Sequence, residues 1–438
     1  MAKHDIFKIK TLDDLEKEAK SMNLEIPCSA DIKVLTGEVN IGNKKIPNSM
    51  AIHPMEGCDG TSNGEPGELT FRRYRRFASG GAGLIWFEAS AVENDGRANP
   101  KQLLLSHENA GSFKKLFDDS MKVAQERFGQ NFKPYTVIQL THSGRYSRPS
   151  ANAQPLAAVK NPYLDKKLTV EPEIITDSRL EVLEESFLRA ALLAQEIGFD
   201  AVDIKSCHGY LISEMLSAYN RSGCYGGSFE NRTRFLLNVT GKIKRASKTL
   251  DITLRLNAYD AVPYPFGWGV NRDDYMLPDL SEPLELIKKL TQNNVKLINI
   301  TAGNPYYNPH VNRPYDNGAY VPPEHPLEAV ARLLACARVI QNNFPSIAVV
   351  STGFSWLRES AANVASGGIR DKWFKIAGFG RQAFAYPDFA ADILEKGSMD
   401  RSKCCITCSK CSMLMRSGKE SGCPVRDKDI YAPLLKGI

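Results

Sequence analysis

The sequence has no apolar stretch approaching the roughly 20 residues that span a bilayer. Its charged N-terminus, Met-Ala-Lys-His-Asp-Ile-Phe-Lys-Ile-Lys, lacks the apolar centre of a secretory signal. Both absences predict a cytoplasmic protein that does not associate with membranes. There is no long Lys/Arg tract interleaved with aromatics, and a formal net charge of +6 is modest for 438 residues, which speaks against a nucleic-acid partner. No short-period repeat or low-complexity tract occurs. No Gly-x-Gly-x-x-Gly fingerprint opens a βαβ unit, so no dinucleotide-binding domain of that kind is expected within the chain.

Hydrophobic residues make up 42% of the chain and charged residues 24%, enough apolar material for a large core rather than a disordered state. The length suits two or three ordinary domains, or one α/β barrel with insertions. Of the 10 cysteines, Cys404, Cys405, Cys408, Cys411 and Cys423 fall in one short block. Without an export signal, that crowding favours a metal site over disulfides.

Short β-branched or apolar runs recur at 49–55, 83–92, 135–142, 200–206, 252–257, 296–301, 347–352 and 374–378, giving eight strand candidates. Most pairs enclose a helical pattern. The clearest is Leu183, Phe187, Ala190, Ala194 and Ile197, with Ser178 and Glu181 spaced as a capping box. Gln139, His142, Lys205, His208, Arg255, Thr352 and Arg381 sit at or just past strand C-termini, where closed α/β barrels build their sites. The pattern predicts a (β/α)8 TIM barrel over 48–398. An N-terminal extension, 1–47, holds one helix and a hairpin expected to close the barrel's bottom. Residues 399–438 lack clear periodicity and read as a metal-ordered appendage.

Gly353 follows the seventh strand and Gly380-Arg381 the eighth, where barrels commonly bind a phosphate with backbone N–H groups and a cation. Turn glycines beside a surface arginine would give the same pattern.

A resemblance narrows the choice. Pro54-Met55 follows strand one, Gly-Gly-Ala-Gly-Leu-Ile lies at 80–85, and Gln-Leu-Thr-His-Ser-Gly-Arg at 139–145. Gly-Phe-Asp-Ala-Val-Asp-Ile at 198–204 runs into His-Gly-Tyr-Leu at 208–211, followed by Tyr-Gly-Gly-Ser-Phe-Glu-Asn-Arg at 225–232. The strand bearing Arg255 and Gly-Phe-Gly-Arg at 378–381 with Pro387-Asp388 complete the series. In this order the motifs resemble the old yellow enzyme family of FMN-dependent ene-reductases over nearly the whole chain. They are most similar to its iron-sulfur branch, typified by bacterial 2,4-dienoyl-CoA reductase.

The resemblance implies FMN across the barrel mouth, its phosphate held by Gly353, Gly380 and Arg381, with Thr352 alongside. Gln139 would meet the pyrimidine edge, Arg255 the N1 and O2 side, and the backbone from Pro54 and Met55 to Gly57 the N5 and O4 side. Reducing an activated C=C bond needs a hydride donor, donors on the substrate carbonyl and an acid on the opposite face. Tyr210, in the family's Gly-Tyr-Leu position, is the candidate acid; a buried structural tyrosine is the plainer alternative. Where the family grips the carbonyl with a His followed three residues later by His or Asn, this chain has Lys205 and His208. Lys205 either polarises the oxygen or attracts a carboxylate, or else pairs with a nearby acidic group and leaves His208 as main donor. His310, with Arg313, resembles the histidine loop after strand six, where it would support Tyr210 or touch substrate; an ordinary surface histidine is the alternative.

The cysteine block reads Cys405-x2-Cys408-x2-Cys411-x11-Cys423-Pro424. Soft thiolates so closely spaced suit a 4Fe-4S cluster, with structural zinc the main rival. The dienoyl-CoA reductase spacing differs by one residue before its third cysteine. Cys404 stays outside the ligand set because Cys405 gives the family spacing.

Three functions follow. The first is an ene-reductase acting on an α,β-unsaturated carbonyl compound such as a steroid-like enone or an enoyl thioester, with NAD(P)H as donor. The second is a flavin and iron-sulfur amine dehydrogenase. The third is an electron relay between partner proteins, for which Lys403, Lys410, Arg416 and Lys419 would dock an acidic ferredoxin or a flavoprotein. A homo-oligomer also fits, since cluster segments in this family lie near subunit contacts.

Overall fold

Seven of the eight expected strands are buried along their whole length, so neither face can be left in water and each must be covered by helices. In the computed structural model, which describes residues 7–438, they are β1 (Met50–Ile52), β2 (Leu84–Ala91), β3 (Tyr135–Thr141), β4 (Ala201–Ile204), β5 (Asp251–Asn257), β6 (Leu297–Thr301), β7 (Ala348–Ser351) and β8 (Ile376–Phe379). Each pairs in parallel with its neighbours in sequence. The register of Ala377 with Met50 joins β8 back to β1 and closes the barrel. The fold is the expected TIM barrel.

The antiparallel hairpin of Val39–Ile41 and Lys44–Ile46 lies under the strands' N-terminal ends. Its Ile41 and Ile46 join Leu84, Trp86, Tyr135 and Leu297 in one apolar layer, so the bottom is plugged. A register shift in β2 between Phe87 and Ser90 turns Glu88 toward Arg73 and Gly57, a common use of an irregular strand beside a site.

The helix Asp177–Ile197 buries the expected stripe of Leu183, Phe187, Ala190, Ala194 and Ile197. Its cap is a correction. Thr176, not Ser178, accepts from the Arg179 N–H at 3.2 Å, because three consecutive residues are competent to cap and the first of them has the extended backbone. Phe187 meets Phe235 edge-on with centroids 5.9 Å apart. Replacing Phe187 by Ala is expected to cost about 3–5 kcal/mol in urea unfolding while leaving cofactor stoichiometry unchanged.

Residues 399–438 fold back over the barrel mouth. They contain two short helices, Lys410–Arg416 and Lys428–Tyr431, each too brief to show periodicity in sequence. Asp427 accepts from Arg72 at 2.7 Å, and the Ser421 N–H donates to the Gly57 carbonyl at 2.6 Å. All ten cysteines are free, and among the described residues no helix is long and apolar enough to cross a membrane.

Candidate active site

The strands' C-terminal ends open into one pocket whose empty volume, counted to its mouth, is about 1170 Å³. Pro54, Met55, Gln139, Lys205, His208, Tyr210, Arg255, Thr352, Gly353, Gly380 and Arg381 all line it. Sequence positions up to 327 residues apart thus meet because each follows a different strand of one closed barrel.

On the floor, Gln139 Nε2 donates to Asp203 at 2.5 Å, and the same carboxyl accepts from Trp86 Nε1 at 2.9 Å and the Arg255 N–H at 2.7 Å. Burial pushes the Asp203 carboxyl up to about 6. The guanidinium of Arg255 has no ion-pair partner among the described residues, and its Nε is buried without a hydrogen bond. His208, held at φ 67°, likewise presents a buried, unpartnered Nε2. Burial, with Arg255 and Lys205 nearby, holds its pKa well below the ordinary histidine range, so the ring is neutral. Unpartnered polar atoms at the bottom of a cavity this size fit a planar, hydrogen-bonding ring system.

Tyr210 stands above this floor. Its hydroxyl lies 3.4 Å from that of Tyr306, whose ring stacks on Tyr146 at 3.6 Å. Lys205 Nζ sits 3.8 Å from the Tyr210 ring centroid and pairs with Glu56 at 3.1 Å. Burial and Glu56 raise the Tyr210 pKa well above its usual value, so it remains a protonated O–H donor. Of the expectations for Lys205, the structure has the pairing with an acid. His310 lies on the loop after β6, in the short helix Pro309–Asn312. It is absent from the pocket lining, and its Nδ1 lies 2.5 Å from the Tyr320 hydroxyl, because the loop after β6 turns it away and brings Tyr306 to Tyr210 instead.

At the other end, Gly353 has φ 105°, a left-handed conformation that favours glycine. Arg381 donates through Nη2 to the Pro314 carbonyl at 2.6 Å, while its Nη1 is buried and unpartnered. A free guanidinium nitrogen beside Gly353 and Gly380 fits a phosphate.

Cys405, Cys408, Cys411 and Cys423 line a second, smaller cavity with Arg381 and Phe384, and Cys411, Arg381 and Phe384 also line the first. Backbone N–H groups of Thr407 and Arg426 point at the Cys405 and Cys423 sulfurs, each at 3.4 Å. Cys404 is outside this cavity, its thiol directed at the Asp400 carbonyl at 3.4 Å. No three of the four thiols bring their sulfurs within 4.8 Å of one another. A single tetrahedral zinc with Zn–S bonds near 2.3 Å needs sulfurs roughly 3.8 Å apart, so the donor set fits a multi-iron cluster better than one ion.

The described residues whose ligand atoms do converge that closely are Glu93, Asp95 and His142. Arg179 already binds both carboxylates, and His142 Nδ1 accepts from the Gly144 N–H, which leaves the proton on the nitrogen facing Asp95. That trio is an ion-pair network.

Glu56, Tyr306, Arg313 and Arg416 also line the pocket; Arg313 was marked only as the companion of His310 and Arg416 only as a docking cation, while Tyr306 opens the long loop after β6 and Glu56 directly follows Met55.

Residues 38–266, just over half of the chain, match the NADH:flavin oxidoreductase / NADH oxidase family. An NADPH dehydrogenase from Bacillus cytotoxicus is 29% identical over 269 residues, 60% of this chain and 70% of its own length. Among solved structures, a 2-naphthoyl-CoA reductase complex superposes with a TM-score of 0.72 at 18% identity, covering 92% of this chain but only 58% of that one. The old yellow enzyme homologue of Zymomonas mobilis gives 0.62 at 19% identity, covering 84% and 94%. These structural likenesses speak for the barrel alone. The family match speaks for the chemistry, and the chain belongs to the NADH:flavin oxidoreductase / NADH oxidase family, that of the old yellow enzymes, and is an NAD(P)H:flavin oxidoreductase.

Proposed function

We propose that the protein reduces the C=C bond of an α,β-unsaturated carbonyl compound, a steroid-like enone or an enoyl thioester, using FMN, NAD(P)H and a 4Fe-4S cluster on Cys405, Cys408, Cys411 and Cys423. The observation that carries this is the protonated Tyr210 hydroxyl in the same pocket as the neutral His208 and the unpaired Arg255. Gln139, Arg255 and the backbone at Pro54 and Met55 would hold the ring; Thr352, Gly353, Gly380 and Arg381 would hold the phosphate. When bound, FMN supplies the hydride. His208 then donates to the substrate carbonyl oxygen, and Tyr210 delivers its proton to the carbon next to that carbonyl. Lys205, its charge already met by Glu56, acts on Tyr210 rather than on the carbonyl.

The gathering of the four thiols on one cavity and the N–H groups aimed at Cys405 and Cys423 support the cluster. The test is anaerobic reoxidation of NAD(P)H-reduced protein by enones and enoyl thioesters. Rapid reoxidation by at least one is expected. Bleaching of the oxidised protein by an amine, with no enone accepted, would replace this reading with C–N oxidation.

A further inference from the structure

We infer that Arg313 is the electrostatic partner of the cluster and raises its reduction potential. The inference rests on the cluster reading above. Arg313 reaches from the loop after β6 to the cluster segment, where its Nη1 donates to Ser412 Oγ at 2.8 Å, one residue beyond Cys411. Its Nε is buried and unpartnered, and among the described residues no carboxylate pairs with it. The cations nearest in effect are Arg381 and Arg416, both of which oppose its charge; Cys411 leads the groups that favour it. A cation sunk in a pocket wall against two others needs an anion. Arg381 lines the cysteine cavity from the Cys405 side, its Nη2 held by the Pro314 carbonyl, while Arg313 meets the cluster segment from the pocket it shares with Cys411. Adding one electron makes a thiolate-ligated cluster more negative, and a fixed positive charge in a weakly screening site favours that reduced state.

The experiment uses the full chain, purified anaerobically, with one-electron titration by dithionite followed by EPR of the reduced cluster. R313Q should lower the cluster's midpoint by at least about 59 mV, a tenfold change in the one-electron equilibrium. R313K should keep most of the wild-type value, and iron and FMN contents should be unchanged in both. An R313Q midpoint equal to wild type overturns the inference, and does so also if FMN is lost, which would assign Arg313 to the flavin phosphate. Should R313Q lose iron, S412A carries the test: it keeps the charge but frees the guanidinium, so a smaller fall is expected and no fall overturns the idea. Wild-type protein with far fewer than about four irons per chain would instead sink the cluster reading itself.

Discussion

Replacing Tyr210 by Phe should leave reduction of the protein by NAD(P)H unchanged and slow its reoxidation by an enone by about 10²–10⁴-fold, the usual contribution of a positioned acid. The two half-reactions separate cleanly because NAD(P)H oxidation requires no proton at the substrate carbon. The phenyl ring fills the same space between Lys205 and the Tyr146–Tyr306 stack, so the pocket keeps its shape. Stopped-flow absorbance of each half-reaction measures the effect, and equal slowing of both would mean the ring is structural. The pH dependence has a definite sign. Burial and Glu56 move the Tyr210 pKa upward, so the acid form persists across the neutral range and reoxidation should not fall with rising pH there through loss of this proton.

The second large effect concerns the cysteines. Cys423→Ser should take iron from about four per chain to near zero, whereas Cys404→Ser should retain it, since the Cys404 thiol is spent on the Asp400 carbonyl. Loss should not stop at the metal. Ser421, two residues before Cys423, donates both to the Gly57 carbonyl and, through its hydroxyl at 2.9 Å, to the Cys411 carbonyl. The loop bearing Met55 and Glu56 is therefore pinned by the same segment that carries the four cysteines. Flavin retention should weaken in Cys423→Ser and remain normal in Cys404→Ser, as measured by flavin released on gel filtration. Iron loss in both variants would return Cys404 to the ligand set.

Why some of this was legible in the sequence is a matter of range. Barrel strands are buried on nearly all sides, so each appears as a short run rich in apolar and β-branched residues, and all eight are found within a few residues of their positions. The polar residue ending each strand then falls at the mouth whatever the loops do, which is why Gln139, Arg255 and Arg381 could be grouped. The pairings across loops were not legible. Lys205 and Glu56 are 149 residues apart, Tyr210 and Tyr306 are 96, and no local pattern ties either pair together. His310 was drawn toward Tyr210 by its place in the loop after β6. The direction of a side chain on an irregular loop depends on what it packs against, and here Tyr320 takes it. The choice between Thr176 and Ser178 as a cap fails for a different reason: Thr, Asp and Ser stand in a row, and each would serve.

The plug formed by Ile41 and Ile46 has a kinetic consequence. A barrel sealed at one end has a single door. On the proposed function, nicotinamide and enone would use it in turn, each leaving before the other enters. Double-reciprocal plots at several fixed enone concentrations should therefore run parallel, and excess NAD(P)H should inhibit by waiting in the doorway that the enone needs.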